Sequence, residues 1–157
     1  MRVKVVAVGT RLPEWQQRGF EEYAKRLPRE CALELIEIPA ASRGKSRPTE
    51  QQIRKESDRM LAAITGNEYV VALDQPGRQF TSEDLAGLLD TWLARGSDVA
   101  LLIGGADGLS DACRSRADLR WSLSEGTLPH GLVRVMVAEQ IYRAWSILRG
   151  HPYHRAG

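Results

Sequence analysis

The chain has 157 residues, 43% of them hydrophobic and 27% charged, with a formal net charge of +2. That length suits a single domain with one core, residues 1–157, and the composition excludes a disordered chain. No apolar run approaches membrane-spanning length, the N-terminus lacks the sections of a signal peptide, and Cys31 and Cys113 show neither Cys-x-x-Cys nor metal-ligand spacing, so a cytoplasmic protein without membrane span, metal site or disulfide is expected.

Val3 to Val8 is a β-branched apolar run suited to a strand buried on both faces, and Pro13 then opens a helical pattern with Trp15, Phe20, Tyr23, Ala24 and Leu27. A second strand, Ala32 to Ile38, runs into a basic loop containing Pro, Gly and Ser. Thr49 and Gln52 form a capping-box signature for a helix carrying Ile53, Met60, Leu61 and Ile64, ended by Gly66-Asn67. Next come a strand from Tyr69 to Asp74, a turn at Gln75-Pro76-Gly77-Arg78, and a helix from about Ser82 bearing Leu85, Leu88, Leu89 and Trp92 before Gly96. Val99 to Ile103 is a fourth strand, and Trp121 to Leu123 reads as a short fifth one. The last helix, Leu132 to Leu148, follows Pro129 and Gly131 and is apolar on more than one stripe, so it must be buried on most sides. A subunit partner is its natural second wall, with a wholly intramolecular core as the alternative. Arg134, Glu139 and Arg143 on this helix need partners, and Arg134 is out of helical phase with Glu139.

Strands alternating with helices at this spacing predict the α/β class, a mainly parallel sheet with helices on both faces. In such sheets ligands sit outside the carboxyl ends of the strands, which points to the loops after Asp74, Ile103 and Leu123. The run from Leu101 to Ser110 carries Gly104, Gly105 and Gly108 directly after a buried strand, where glycine lets the backbone approach a ligand. It is not the Gly-x-Gly-x-x-Gly dinucleotide fingerprint, and no Gly-Lys-Ser/Thr phosphate loop occurs. With the polar loop from Ser122 to His130 and the Leu73-Asp74 strand end, these glycines suit an adenosine-bearing ligand; ordinary connecting turns are the plain alternative.

Charge is segregated, with five cations against one anion in residues 39 to 55 and three against nine in residues 56 to 110. The basic stretch Arg43, Lys45, Arg47, Arg54 and Lys55 could meet a phosphate backbone, or could simply be solvated. All three histidines, His130, His151 and His154, lie in the C-terminal stretch, so groups that move protons near neutral pH gather there. The tail His151-Pro152-Tyr153-His154-Arg155 is therefore a candidate reactive segment, against a frayed, solvated terminus.

Taken together, Leu101-Leu102-Ile103-Gly104-Gly105-Ala106-Asp107-Gly108-Leu109, Thr127-Leu128-Pro129-His130, Val133-Arg134-Val135, Glu139-Gln140-Ile141-Tyr142-Arg143-Ala144 and the closing His-Pro-Tyr-His-Arg closely resemble the RlmH family of ribosomal large-subunit methyltransferases, small members of the SPOUT class. The likeness runs from Val5-Val6-Ala7-Val8-Gly9-Thr10 to the tail. It implies a C-terminal trefoil knot, a homodimer, S-adenosylmethionine as methyl donor, and methylation of N3 of a pseudouridine in helix 69 of 23S rRNA within the ribosome. The same resemblance puts the cofactor on Leu73, Gly104, Gly105, Leu123, Ser124, Glu125, Gly126, Thr127 and Leu128. It also sets the tail of one subunit beside the cofactor of the other, with Tyr153, His154, Arg155 and Arg143 as the catalytic candidates.

On that reading His154 removes the N3 proton, Arg155 or Arg143 steadies the resulting anion or a phosphate, and Tyr153 orients the base; a purely phosphate-contacting His154 is the alternative. Two rival functions are a catalytically silent ribosome-binding factor, which would not bind S-adenosylmethionine, and a nicotinamide-dependent oxidoreductase, which the missing fingerprint disfavours.

Overall fold

The computed structural model describes residues 1–41 and 50–156; Arg43, Lys45 and Arg47 of the basic loop and the Thr49 capping box lie outside the described residues. Strands and helices alternate along the chain: β1 Arg2–Val8, α1 Glu14–Ala24, β2 Ala32–Ile38, α2 Glu50–Ala62, β3 Tyr69–Arg78, α3 Ser82–Arg95, β4 Val99–Ile103, α4 Asp111–Arg116, β5 Leu119–Trp121 and α5 His130–Leu148. The five strands form one sheet in the order β2-β1-β4-β3-β5, every neighbouring pair parallel. This is the α/β architecture expected, because parallel neighbours require the helical crossovers that the alternation supplies.

Side-chain alternation divides the core into two layers. Val3, Val5 and Ala7 of β1 and Val99, Leu101 and Ile103 of β4 share a cluster with Phe20, Leu89, Trp92, Ile141 and Ala144 of α1, α3 and α5. Val6 and Val8 of β1 and Ala100 and Leu102 of β4 join Met60 of α2 and Cys113 of α4 in the other cluster. That double burial is why these strands read as continuous apolar runs. Both cysteines are free and buried, and burial pushes the Cys31 thiol up to about 11, so it is an inert filler.

Local chemistry sets the helix ends. Thr81 caps α3 by accepting from the Asp84 amide at 3.0 Å, with Asp84 reaching back to the Thr81 amide, and Gly96 closes the helix in the left-handed region at φ 79°. Ser110 caps α4 through the Cys113 amide at 3.2 Å. Three expectations need correction. Trp15 is not part of the apolar stripe of α1: it is 59% exposed, since five residues of helix place it about 140° away from buried Phe20. Gln75 to Arg78 is not a free turn but the end of β3. The strand pairs with Trp121 of β5 at Leu73, bulges, and pairs with Trp121 again at Arg78. A Cβ at Gly77 would come within 2.8 Å of the Arg120 carbonyl, so only glycine allows that return. The fifth strand itself is Leu119–Trp121 and so begins and ends two residues before the expected one.

α5 lies between α1 and α3, and within this one chain each of its residues is buried or half-buried. Gly19 of α1 lets Val135 approach, and Gly131 of α5 sits against Gln16. The sheet is therefore not the helix's sole wall. Arg134 is paired across the fold with Glu37 of β2 at 2.9 Å, while Glu139 bonds Arg143 one turn along at 2.7 Å.

At the opposite rim of the sheet, Lys4 Nζ reaches Glu68 at 2.7 Å, and Glu68 also accepts from the Thr65 hydroxyl and amide, each at 2.9 Å, in a nearly closed pair. Burial alone would raise the Glu68 carboxyl, but these donors outweigh it and hold it at about 2. A folded-state pKa below the ordinary one means that the stabilisation is complete above the ordinary carboxylate range and is lost as pH falls towards about 2. Thermal melts between pH about 5 and 2 are expected to fall more steeply for the native protein than for Glu68→Gln, whose stability is lower at neutral pH and flatter in acid. Parallel slopes would show that Glu68 contributes nothing to the acid limb.

Candidate functional site

The carboxyl ends of β3, β4 and β5 open together into a cavity of about 140 Å³. β3 supplies Leu73, Asp74 and Gln75; Ile103, Gly104, Gly105 and Gly108 follow along β4; Trp121, Leu123, Ser124, Gly126, Thr127 and Leu128 come from β5 and its loop; His130 and Val133 close it from the first turn of α5. Gly104 is the tightest point of this wall. A Cβ there would lie 2.5 Å from the Gly108 carbonyl carbon and 2.8 Å from the Leu109 amide nitrogen. Gly108 donates back to the Gly105 carbonyl at 3.0 Å and takes a positive φ of 76°, which folds the chain into a tight turn behind the cavity.

The loop after β5 is held in shape by its own polar groups. The Ser122 hydroxyl donates to the Ser124 carbonyl at 2.9 Å, and the Gly126 amide donates to the Ser124 hydroxyl at 3.0 Å. Gln75 fastens the loop to β3, giving its side-chain N–H to the Glu125 carbonyl at 2.5 Å and accepting from the Thr127 hydroxyl at 3.3 Å. Eight of the nine residues singled out for a cofactor, Leu73, Gly104, Gly105, Leu123, Ser124, Gly126, Thr127 and Leu128, therefore line one cavity. Glu125 does not line it; its side chain is exposed and its carbonyl is the atom that Gln75 engages.

The tail stands elsewhere. Instead of fraying, it turns back at His151, whose amide donates to the Ser146 carbonyl at 2.9 Å, and forms a short 3-10 helix at Pro152–Ala156. The Tyr153 hydroxyl donates to Glu139 Oε1 at 3.0 Å, the oxygen that also receives Arg143, and the Arg143 guanidinium lies 5.0 Å from the centre of the Tyr153 ring. Burial opposes the Arg143 charge, but Glu139 beside it prevails and holds the group cationic above its ordinary value. Burial, together with Tyr23 and Glu139, pushes the Tyr153 phenol up, so it stays a neutral donor. His154 Nδ1 is buried without a hydrogen-bond partner among the described residues, and Arg155 is exposed.

His130 at one end of α5 lines the cavity and Leu148 at the other end leads into the tail. A helix of 19 residues separates them by about 27 Å. Arg143 and Tyr153 are thus brought together, but no described residue of the tail lines the cavity of its own chain.

Residues 1–154 match the family model described as a predicted SPOUT methyltransferase. The chain is 56% identical over 155 residues to the ribosomal RNA large subunit methyltransferase H of Thioalkalivibrio sulfidiphilus, covering 99% of each chain. The chain belongs to the SPOUT methyltransferase family. A second protein named ribosomal RNA large subunit methyltransferase H, from Methylococcus capsulatus, is 54% identical over 155 residues, 99% of this chain and all of the relative. Solved structures agree at the level of fold. A probable methylase family protein from Haemophilus influenzae superposes with a TM-score of 0.60 at 10% identity, over 96% of this chain and 69% of that one. A probable methyltransferase from Bordetella pertussis gives 0.58 at 13% identity, over 90% of this chain and 95% of that one.

In this SPOUT methyltransferase, the features that fit an adenosine-bearing methyl donor are the wall of Gly104, Gly105 and Gly108, whose tight turn only a glycine at 104 permits, and a cavity that is apolar at Leu73, Ile103, Trp121 and Leu128 yet polar along its loop. Asp74 and His130 stand at the strand end and the loop to which the sequence points, whereas Gln75, which the sequence places in a turn, joins the cavity wall as part of β3. Gly104→Ala must push the Gly108 backbone away and is expected to weaken S-adenosylmethionine binding about a hundredfold, with the fold retained by circular dichroism. Calorimetry that found native affinity would show that the ligand does not approach this wall.

Proposed function

We propose that this protein transfers the methyl of S-adenosylmethionine to large-subunit ribosomal RNA, at N3 of a pseudouridine in helix 69 of 23S rRNA, working in the cytoplasm on the assembled ribosome. The reading is carried by one observation: a glycine-walled cavity at the carboxyl rim of the sheet occurs in a chain that aligns end to end with two relatives named as ribosomal RNA large subunit methyltransferase H. It includes a homodimer in which the tail of each protomer closes over the cavity of its partner. The separation of about 27 Å between tail and cavity along α5 supports that arrangement, as does the unpartnered His154 Nδ1. It also includes the trefoil knot of the class, supported by the close backbone approach of Gly77 to Arg120, which leaves no room for a Cβ.

When bound, the donor supplies a methyl group already activated on a sulfonium, so no protein nucleophile is required. Leu73, Gly104, Gly105 and the loop from Leu123 to Leu128 would hold the ligand, while Gln75 keeps that loop in place. His154 removes the proton from the target nitrogen. Tyr153, anchored through Glu139, orients the base. Arg143 is already committed to Glu139, so exposed Arg155 is the cation that meets the phosphate or the developing anion.

Calorimetry with S-adenosylmethionine, together with methyl incorporation into naked 23S rRNA, isolated large subunits and whole ribosomes, tests the proposal. Donor binding with incorporation into whole ribosomes is expected. Absence of donor binding would leave a silent ribosome-binding factor, and incorporation at another nucleotide would overturn the target assignment.

A further inference from the structure

Asp74 lies where β3 enters the cavity, and its side chain is only 7% exposed. One of its oxygens, Oδ2, is fully buried and accepts no hydrogen bond from the described residues. The cation beside it is Arg114, whose Nε stands 3.3 Å away and whose Nη1 is also drawn to Asp111 at 3.2 Å. Two carboxylates thus share one guanidinium, and the group keeps a net negative charge. Among the residues lining the cavity, Asp74 is the single carboxylate, and neither lysine nor arginine joins it. A buried carboxylate short of donors is stabilised by a cation, and because the Asp74 side chain is itself buried that attraction is less screened than one between exposed charges.

We propose that Asp74 is a specificity-determining residue that selects a positively charged sulfonium in this cavity over its neutral thioether product. The inference rests on the cavity being the methyl-donor site. In the transfer, the bond from methyl carbon to sulfur breaks with its electron pair left on sulfur. A carbon–nitrogen bond forms from the lone pair of the target nitrogen, whose proton has gone to the base, and the positive charge on sulfur disappears. The attraction of Asp74 for the ligand disappears with it, so the spent ligand is held less firmly than the fresh one. Donor and product share the same adenosine, ammonium and carboxylate groups. Their affinity ratio therefore isolates the charge on sulfur from every other contact Asp74 makes.

Titration calorimetry of the full-length protein with S-adenosylmethionine and with S-adenosylhomocysteine reads that ratio. Asp74→Asn keeps the shape and removes the charge; it is expected to lower the preference for the sulfonium about tenfold while changing thioether affinity little. Arg114→Gln removes the competing cation and is expected to shift the ratio the opposite way. An unchanged ratio in folded Asp74→Asn, or both variants moving the ratio in one direction, would overturn the proposal. Should Asp74→Asn fail to fold, an unchanged ratio in Arg114→Gln overturns it alone. If the native protein binds neither ligand, the donor-site reading falls and this inference falls with it, an outcome distinct from two measurable affinities whose ratio ignores Asp74.

Discussion

Co-expressed His154→Ala and Gly104→Ala chains are expected to methylate ribosomes at about a quarter of the native rate, although each variant made alone is nearly inactive. The physical basis is the length of α5. With the cavity at the His130 end and the tail about 27 Å away beyond Leu148, a protomer that served itself would have to undo the packing of Tyr153 onto Tyr142 and Glu139. In the proposed homodimer, random pairing makes about half the dimers mixed, and each mixed dimer has one site in which an intact cavity meets an intact tail. Loss of a positioned base alone costs about a hundredfold to ten-thousandfold, so recovery to a quarter stands far above the background of either variant. Activity of the co-expressed pair no greater than the sum of the two would mean that each site is built within one chain. A pH–rate profile of His154→Ala matching the native profile would remove His154 as the base.

Arg134→Met is expected to cost about 3 kcal/mol of folding stability and to lower the melting temperature by about 6–12 °C. Arg134 is 2% exposed, donates to the Val8 and Gly9 carbonyls at 3.2 and 2.7 Å, and pairs with Glu37 at 2.9 Å. Methionine fills much of the volume but leaves those two carbonyls without their donor. The Glu37 side chain, 38% exposed, recovers part of its loss from water, which keeps the figure below the top of the range for broken buried pairs. Denaturant titration measures the effect, and Glu37→Gln should cost less in the Arg134→Met background than in the native chain. Additive losses would show that the pair does not couple. Activity should fall too, since Gly9, in the left-handed region at φ 118°, packs against both Arg134 and the cavity residue His130.

Much of the fold was legible because its signals are local. Ala32 to Ile38 and Val99 to Ile103 read correctly as strands from branched apolar runs, and α3 was bounded by a capping box and Gly96 that act within a few residues. The cavity loops were legible for a related reason: glycines directly after a buried strand mark places where backbone must come close to something. Trp15 shows the limit of local reading, since an apolar residue early in a helix was counted into a stripe from which its angle excludes it.

Length, composition, periodicity and turn chemistry determined the α/β class, most helix ends and the loops around the cavity, and the resemblance to a known family named eight of the residues that line it. Strand order decided the rest. The return of β3 at Arg78 depends on pairing with Trp121, the partner of Arg134 lies on a strand far away in sequence, and Asp74, Gln75 and His130 share a cavity only because β3, β4 and β5 end side by side. The separation of the tail from its own cavity likewise follows from the full length of one rigid helix. Propensity and capping act over a few neighbours, whereas pairing and burial join residues on strands and helices that are distant along the chain. Which polar groups share a rim was therefore settled by tertiary packing.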